Sequence, residues 1–191
     1  RRTALSNVEN FAISKIHRQL PESFVDYISK ETDSTTLNNM RNFNNTKINS
    51  NATPKVSLLL NVLHSDWNYN KLENIDSIYI PLKYFTSKKY SPVLKIISKK
   101  FDTYIYMPTI IKSNYENFFL ANAEEAVEKY NIQGFVISNI GNLNLLHSLF
   151  NNLDEYYKVI ANYTFNVYNS ETVLELKKLG ISSFTLSPEL D

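Results

Sequence analysis

Six short apolar runs alternate with segments of helical periodicity after residue 55. Runs of this length, bounded by polar turns, are typical of parallel strands that are covered on both faces. We predict strands at 56–63, 78–81, 104–107, 134–138, 159–167 and 184–187. The intervening segments predict helices at 92–99, 116–130, 142–150 and 171–179. Strands that alternate with helices in this way predict an α/β fold with a parallel sheet, either open and doubly wound or part of a (β/α)₈ barrel.

The part of the chain before residue 55 has a different pattern. A helical stripe of apolar residues predicts an N-terminal helix over residues 1–20. Residues 21–54 are rich in Ser, Thr and Asn and predict a linker. The α/β domain is therefore expected to span residues 55–191.

The last 29 residues, from Tyr163 to Asp191, form a complete strand–loop–helix–strand pattern. Asn169 can cap the helix, and Gly180 suits the left-handed position that ends it. A crossover of this kind joins parallel strands, whose carboxyl ends carry the chemistry of such sheets. The polar residues at those ends are therefore the first candidates for a site.

Four of these polar residues are candidate site residues. Glu189 follows a strand and a proline, where a carboxylate can act as a catalytic general base, or instead fix the loop. Asn139, Asn166 and Asn169 are candidates for substrate binding through their amides. The alternatives are an N-cap for Asn169 and a tie between two loops for Asn166. No metal site is predicted, because the three histidines lack the spacing of zinc ligands.

Composition narrows the class of protein. The net charge of +1 gives no bulk electrostatic case for binding nucleic acid or membranes. No apolar stretch approaches the roughly 20 residues of a membrane helix. The absence of cysteine excludes disulfides, thiolate zinc sites and iron–sulfur clusters from this chain. These features fit a cytoplasmic protein.

Several segments resemble one known family. Asn166 to Ser170 (NVYNS) and Leu179 to Leu190 (LGISSFTLSPEL) resemble a strand–helix–strand unit of the collagenase-like peptidases, family U-32. The similarity extends upstream to the segments GFVISNIG at 134–141, IYMP at 105–108 and IYIPL at 78–82, and the chain begins with a sequence similar to another family element, RRTAL at 1–5. It covers most of the chain, and its motifs are densest in the last third.

The resemblance favours the barrel alternative. It implies repeated βα units in a partial TIM-barrel-like fold, because about six strands cannot close an eight-stranded barrel. It also implies a fragment of a longer polypeptide, since family members usually continue beyond this point.

The function implied is that of a domain of a collagenase-like peptidase, which hydrolyses peptides with the help of a metal. We expect the chain not to be active alone, because the family's cysteine motif is missing. Thr109 also stands after Pro108 where the family more often has arginine. The alternatives are a non-catalytic accessory domain, or a module of an RNA-base hydroxylation enzyme of the same family. Whether the chain is an enzyme stays open, and the sequence does not identify a cofactor. The expected partners are the rest of the parent polypeptide or another protein, together with a peptide substrate.

Overall fold

The computed structural model describes residues 53–190. Six strands form one sheet in chain order, and every neighbouring pair is parallel. The strands are β1 (Ser57–Leu59), β2 (Ser77–Pro81), β3 (Asp102–Tyr106), β4 (Gly134–Ile137), β5 (Lys158–Ala161) and β6 (Ser183–Phe184). The sheet curls into half of a barrel, which confirms the predicted partial barrel of about six strands.

Five α-helices lie in the connections between the strands of residues 53–190. Four of them match predicted helices to within three residues at each end. The fifth, α4, is a single turn that the periodicity did not indicate. The helices are α1 (Ser91–Lys100), α2 (Ser113–Tyr130), α3 (Ile140–Leu149), α4 (Leu153–Tyr156) and α5 (Ser170–Lys178).

One row of side chains across the sheet shows how the core is built. Ile80, Ile105, Phe135 and Val159 are register neighbours on β2 to β5, and all four are fully buried. They belong to one hydrophobic cluster with the apolar residues of the helices, including Leu94, Ile97, Phe119 and Leu146. Alternate residues of a strand point to opposite faces, so this row marks the helix-covered face of the sheet.

The opposite face carries tyrosines. Tyr79 and Tyr104 are register neighbours one residue away from the buried row, and their rings meet edge to face with centroids 5.5 Å apart. Tyr106, two residues further along β3, pairs in register with Val136 of β4. Tyr106 therefore lies on this face, at the carboxyl end of its strand.

The end of α5 agrees with the prediction at Gly180. This residue has a φ of 81°, which is the left-handed conformation. Its N–H donates to the Lys177 carbonyl, and the N–H of Ile181 donates to the Leu176 carbonyl. These two bonds form a Schellman motif, which satisfies carbonyls at the end of the helix.

Three strands are at least two residues shorter than predicted: β1, β5, and β6, which ends at Phe184. β1 ends at Leu59 although the apolar run continues. β5 ends at Ala161, because the side chain of Asn162 accepts a hydrogen bond from the Thr164 N–H and caps a 3₁₀ turn over Tyr163–Phe165. The chain rejoins the sheet only at an isolated parallel bridge between Val167 and Leu186. The hydrogen bond between Asn162 and Thr164 thus replaces the backbone hydrogen bonds that a longer β5 would have made within the sheet.

The N-terminal helix and the linker predicted before residue 55 lie outside the described residues, apart from residues 53 and 54. Among the helices of residues 53–190, none combines the length and apolarity needed to cross a bilayer.

Candidate functional site

The carboxyl ends of β3, β4 and β5 are joined by a network of polar side chains. We call Tyr106, Ser138, Asn162 and Thr164 the strand-end network. The Asn162 amide nitrogen donates to the Tyr106 hydroxyl at 3.0 Å and to the Ser138 hydroxyl at 2.8 Å. The Ser138 hydroxyl donates in turn to the Met107 carbonyl at 2.9 Å. These bonds connect the three strands at the edge where such folds usually hold their ligands.

Burial makes the strand-end network a structural element. Asn162 is 5% exposed and Ser138 is 2% exposed. The Asn162 carbonyl oxygen accepts from both the N–H and the hydroxyl of Thr164. All the hydrogen-bonding groups of the Asn162 amide are therefore used within the protein. Groups so committed hold the strand ends in place and leave little capacity for a ligand.

Asn142, at the start of α3, adds to the same edge. Its side-chain oxygen accepts from the Ser138 N–H at 2.7 Å, and the residue is fully buried. Its side-chain nitrogen is the one buried side-chain N or O atom of residues 53–190 without a hydrogen-bond partner. The Asn142 side chain therefore bonds to the strand-end network only through its oxygen, at Ser138.

Two predicted substrate-binding residues cap helices. Asn139 accepts from the Asn142 N–H at 2.9 Å, as the N-cap of α3, and donates to the Thr109 carbonyl at 2.7 Å. Asn169 accepts from the Thr172 N–H at 2.9 Å, as the N-cap of α5. The interpretation of Asn169 as a cap agrees with this geometry.

The other two predicted residues are exposed. Asn166 has a φ of 48° and ends the 3₁₀ turn rather than a strand. Glu189 accepts a hydrogen bond from the Tyr168 hydroxyl at 2.8 Å. Within residues 53–190, no hydrogen bond joins any two of Asn139, Asn166, Asn169 and Glu189.

Sequence reasoning missed the residue that ends β5. The strand prediction ran through to Val167, so Asn166 was placed at the strand end, where the structure has Asn162. The signal that could have found it is the Asn-x-Thr pattern of residues 162–164, which suits a side-chain-capped turn.

A cleft of about 410 Å³ opens beside the strand-end network, and we call it the strand-end cleft. Its walls are mostly apolar and include two prolines and two tyrosines. The complete lining is Asn61, Pro81, Leu82, Lys83, Tyr106, Pro108 and Tyr115. Burial raises the pKa of Tyr115 to about 12, so its hydroxyl is protonated at neutral pH. Tyr106 belongs to both the cleft and the strand-end network, so the network fixes one wall of the cleft.

A second, larger depression of about 590 Å³ lies against α3. Gly141, Asn144, Leu145 and Ser148 form one face of that helix and line it, together with Asn139. Glu116 is its only charged lining residue. With one carboxylate and no convergent partner for it, this depression offers no acid–base pair.

The described residues also lack a metal site or a nucleophile relay. No group of three or more His, Asp or Glu side chains in residues 53–190 is arranged to hold a metal ion. His64 stacks on Trp67 with ring centroids 4.7 Å apart, and the Ser65 hydroxyl donates to Asp66 rather than to His64. The loop is therefore a surface turn in which the His64 ring stacks on the exposed Trp67.

No protein-family model matches the chain, and comparisons with the curated proteins and with the solved structures found no match either. The resemblance to the collagenase-like peptidases therefore stays a prediction.

Proposed function

We propose that this half-barrel is a non-catalytic binding module of the collagenase-like type, which holds a peptide segment in the strand-end cleft. The observation that carries the proposal is the lining of that cleft. Pro81, Tyr106 and Tyr115 offer half-buried apolar and aromatic surface, while Asn61 and Lys83 add one amide and one ammonium group. Small-molecule and side-chain sites typically combine apolar walls with a few polar groups in this way.

The volume and the polar groups favour a peptide as the ligand. About 410 Å³ accommodates a few amino-acid residues rather than a large cofactor. The Asn61 side chain makes no hydrogen bond in residues 53–190, so its amide is free to pair with a peptide backbone. Lys83 is exposed and can attract a carboxylate at one end of the ligand.

Binding without cleavage is favoured by the state of the polar groups at the strand ends. Ser138 and Asn162 are buried, all the hydrogen-bonding groups of the Asn162 amide are used within the protein, and two of the four predicted site residues act as helix caps. A hydrolase needs a base or a metal within reach of the bound substrate. Such a group would have to come from outside residues 53–190, as expected for a module that is not active alone.

Selection from a random peptide library tests the proposal. The full chain is immobilised, bound peptides are selected, and their affinity is measured by fluorescence anisotropy. Asn61→Trp fills the rim of the cleft without removing an internal side-chain bond, and we expect it to weaken binding about tenfold or more. Asn117→Trp places the same bulk on the exposed surface of α2, and we expect no change.

Mass spectrometry of the same peptides after prolonged incubation tests the second half of the proposal, and we expect them to remain intact. Equal binding by the wild type and Asn61→Trp would disprove the peptide site. Cleavage that persists in a purified, protease-free preparation would disprove the non-catalytic role.

A further inference from the structure

The small net charge of the chain conceals a strong local asymmetry. Between Ser77 and Phe101 there is no acidic residue, while six lysines occur there. This segment contains β2 and α1 and the turns between them. The six are Lys83, Lys88, Lys89, Lys95, Lys99 and Lys100.

Four lysines line a groove between α1 and α2. Two adjoining depressions, of about 260 and 530 Å³, share Lys129 and Tyr130 and together form this α1–α2 groove. Lys88 lies in the first depression, and Lys95 and Lys99 lie in the second. Serine hydroxyls and asparagine amides complete much of the polar lining, and Glu125 is its only acidic residue.

The lysines of the groove have almost no partners. Lys88, Lys95 and Lys99 are exposed, and none of them makes an ion pair, a hydrogen bond or a ring contact in residues 53–190. Lys129 contacts Glu125 at 3.4 Å, in an exposed pair that contributes little. Lys100 is different, since its ammonium group donates to the backbone carbonyls of Asn70 and Leu72 and so has a structural role.

We propose that the α1–α2 groove binds the phosphodiester backbone of single-stranded nucleic acid. All the cations of the groove are lysines, whose ammonium groups bind phosphate as point charges and require no planar geometry of the ligand. Lys95 and Lys99 are four residues apart on a helix, so their side chains start about 6 Å from each other. That separation allows them to contact neighbouring phosphates of an extended strand.

The shape of the surface distinguishes a strand from a membrane. The lysines line a concave groove whose floor includes the buried Tyr130, with its hydroxyl 3.1 Å from that of Ser91. A flexible strand can enter a groove between two helices, whereas a bilayer surface contacts only its rims. Because the groove presents no exposed aromatic ring for stacking, we expect binding to depend on phosphates and salt rather than on base sequence.

This site does not depend on the proposed peptide site. The second depression lies at the carboxyl ends of α1 and α2, since its lining runs from Lys95 to Lys99 and from Lys129 to Asn131. The strand-end cleft lies at the carboxyl ends of the strands. Failure of one proposal therefore leaves the other intact.

Fluorescence anisotropy with labelled oligouridylate and oligothymidylate of about 12 nucleotides tests the proposal on the full chain. We expect the affinity to fall steeply as salt is raised. Lys95→Gln/Lys99→Gln should weaken binding roughly tenfold or more near 0.1 M salt. It should also reduce the slope of log K against log salt by about 1.4, because each lost phosphate contact accounts for about 0.7.

Two further variants distinguish a loss of phosphate contacts from a folding defect. Lys112→Gln/Lys158→Gln removes the same charge from exposed positions outside the groove, and its affinity should stay within about twofold of the wild type. Glu125→Gln frees Lys129 and removes the only acidic lining residue, so it should tighten binding about threefold. A folding defect cannot produce such a gain.

Equal losses in the two double-lysine variants would overturn the assignment to the groove. Binding to vesicles of phosphatidylcholine and phosphatidylserine without binding to the oligonucleotides would show that the groove binds a membrane surface and would disprove the nucleic-acid site. Equal competition by polyglutamate would overturn the specificity for phosphate.

Discussion

The side-chain amide of Asn162 donates to the hydroxyl of Ser138 at 2.8 Å and so joins the carboxyl ends of β5 and β4. The same nitrogen also donates to Tyr106 at the end of β3. One buried side chain thus fixes the spacing of three strand ends, together with the tyrosine that forms a wall of the strand-end cleft. The stability of this edge and the shape of the cleft are therefore expected to depend on Asn162.

Replacement of Asn162 by alanine should lower the free energy of unfolding by about 2–4 kcal/mol, because it leaves buried polar partners unpaired. The Ser138 hydroxyl and the Thr164 N–H would each lose a bond to Asn162. Urea denaturation followed by circular dichroism measures the change. Asn151→Ala, at an exposed position, is the matched control. Equal unfolding midpoints for the two variants would show that the strand-end network is not stabilising.

Gly134→Ala tests the packing between β4 and β5. A Cβ atom at Gly134 would collide with the backbone of Lys158, which is its register neighbour. Because backbone atoms cannot move aside easily, we expect a loss of about 3 kcal/mol. Gly141→Ala is the control, since its Cβ would meet only the Asn139 side chain at 3.1 Å. We expect that change to stay within about 1 kcal/mol of the wild type. Similar losses in both variants would contradict the close approach at Gly134.

The buried hydroxyl of Tyr115 lowers the stability of the protein at alkaline pH. Burial raises its pKa from 10.0 to about 12, so the folded protein keeps this proton after the unfolded chain has lost it. The unfolded state then binds fewer protons, and the free energy of unfolding falls as the pH rises from about 10 to about 12. Below pH 10 this contribution is fully present.

Tyr115→Phe should therefore reduce the loss of stability at alkaline pH. Urea midpoints near pH 9 and pH 11 measure it, and the difference between them should be smaller in the variant than in the wild type. Tyr163→Phe, which alters an exposed ring, should leave the difference unchanged. Burial also raises the pKa of Tyr69 and Tyr104, so part of the alkaline loss should remain. An unchanged difference in Tyr115→Phe would show that its hydroxyl is solvated.

Asparagine has two recurrent structural roles in this protein. The chain has 25 asparagines and only 3 glycines. Within residues 53–190, all four non-glycine residues with positive φ are asparagines: Asn74, Asn131, Asn152 and Asn166. Four others cap helical turns through their side chains: Asn68, Asn139, Asn162 and Asn169. Asparagine tolerates the left-handed conformation and bonds to nearby backbone, so it partly replaces glycine here.

The elements with local signals can be predicted from the sequence alone. The apolar runs and the helical periodicity gave six strands and the four longer helices, and Gly180 marked the end of α5. Such signals arise between residues a few positions apart, so they can be recognised along the chain. The resemblance to a family supplied the choice of a barrel over a doubly wound sheet.

Which polar side chains contact each other depends on the tertiary structure. Tyr106, Ser138 and Asn162 are separated by 32 and 24 positions in the chain, and parallel pairing of three strands brings them into contact. The same holds for Lys95 and Lys129, which line one groove because α1 and α2 pack side by side. Strand register and helix packing depend on the summed burial of the whole core, and no local pattern contains that information.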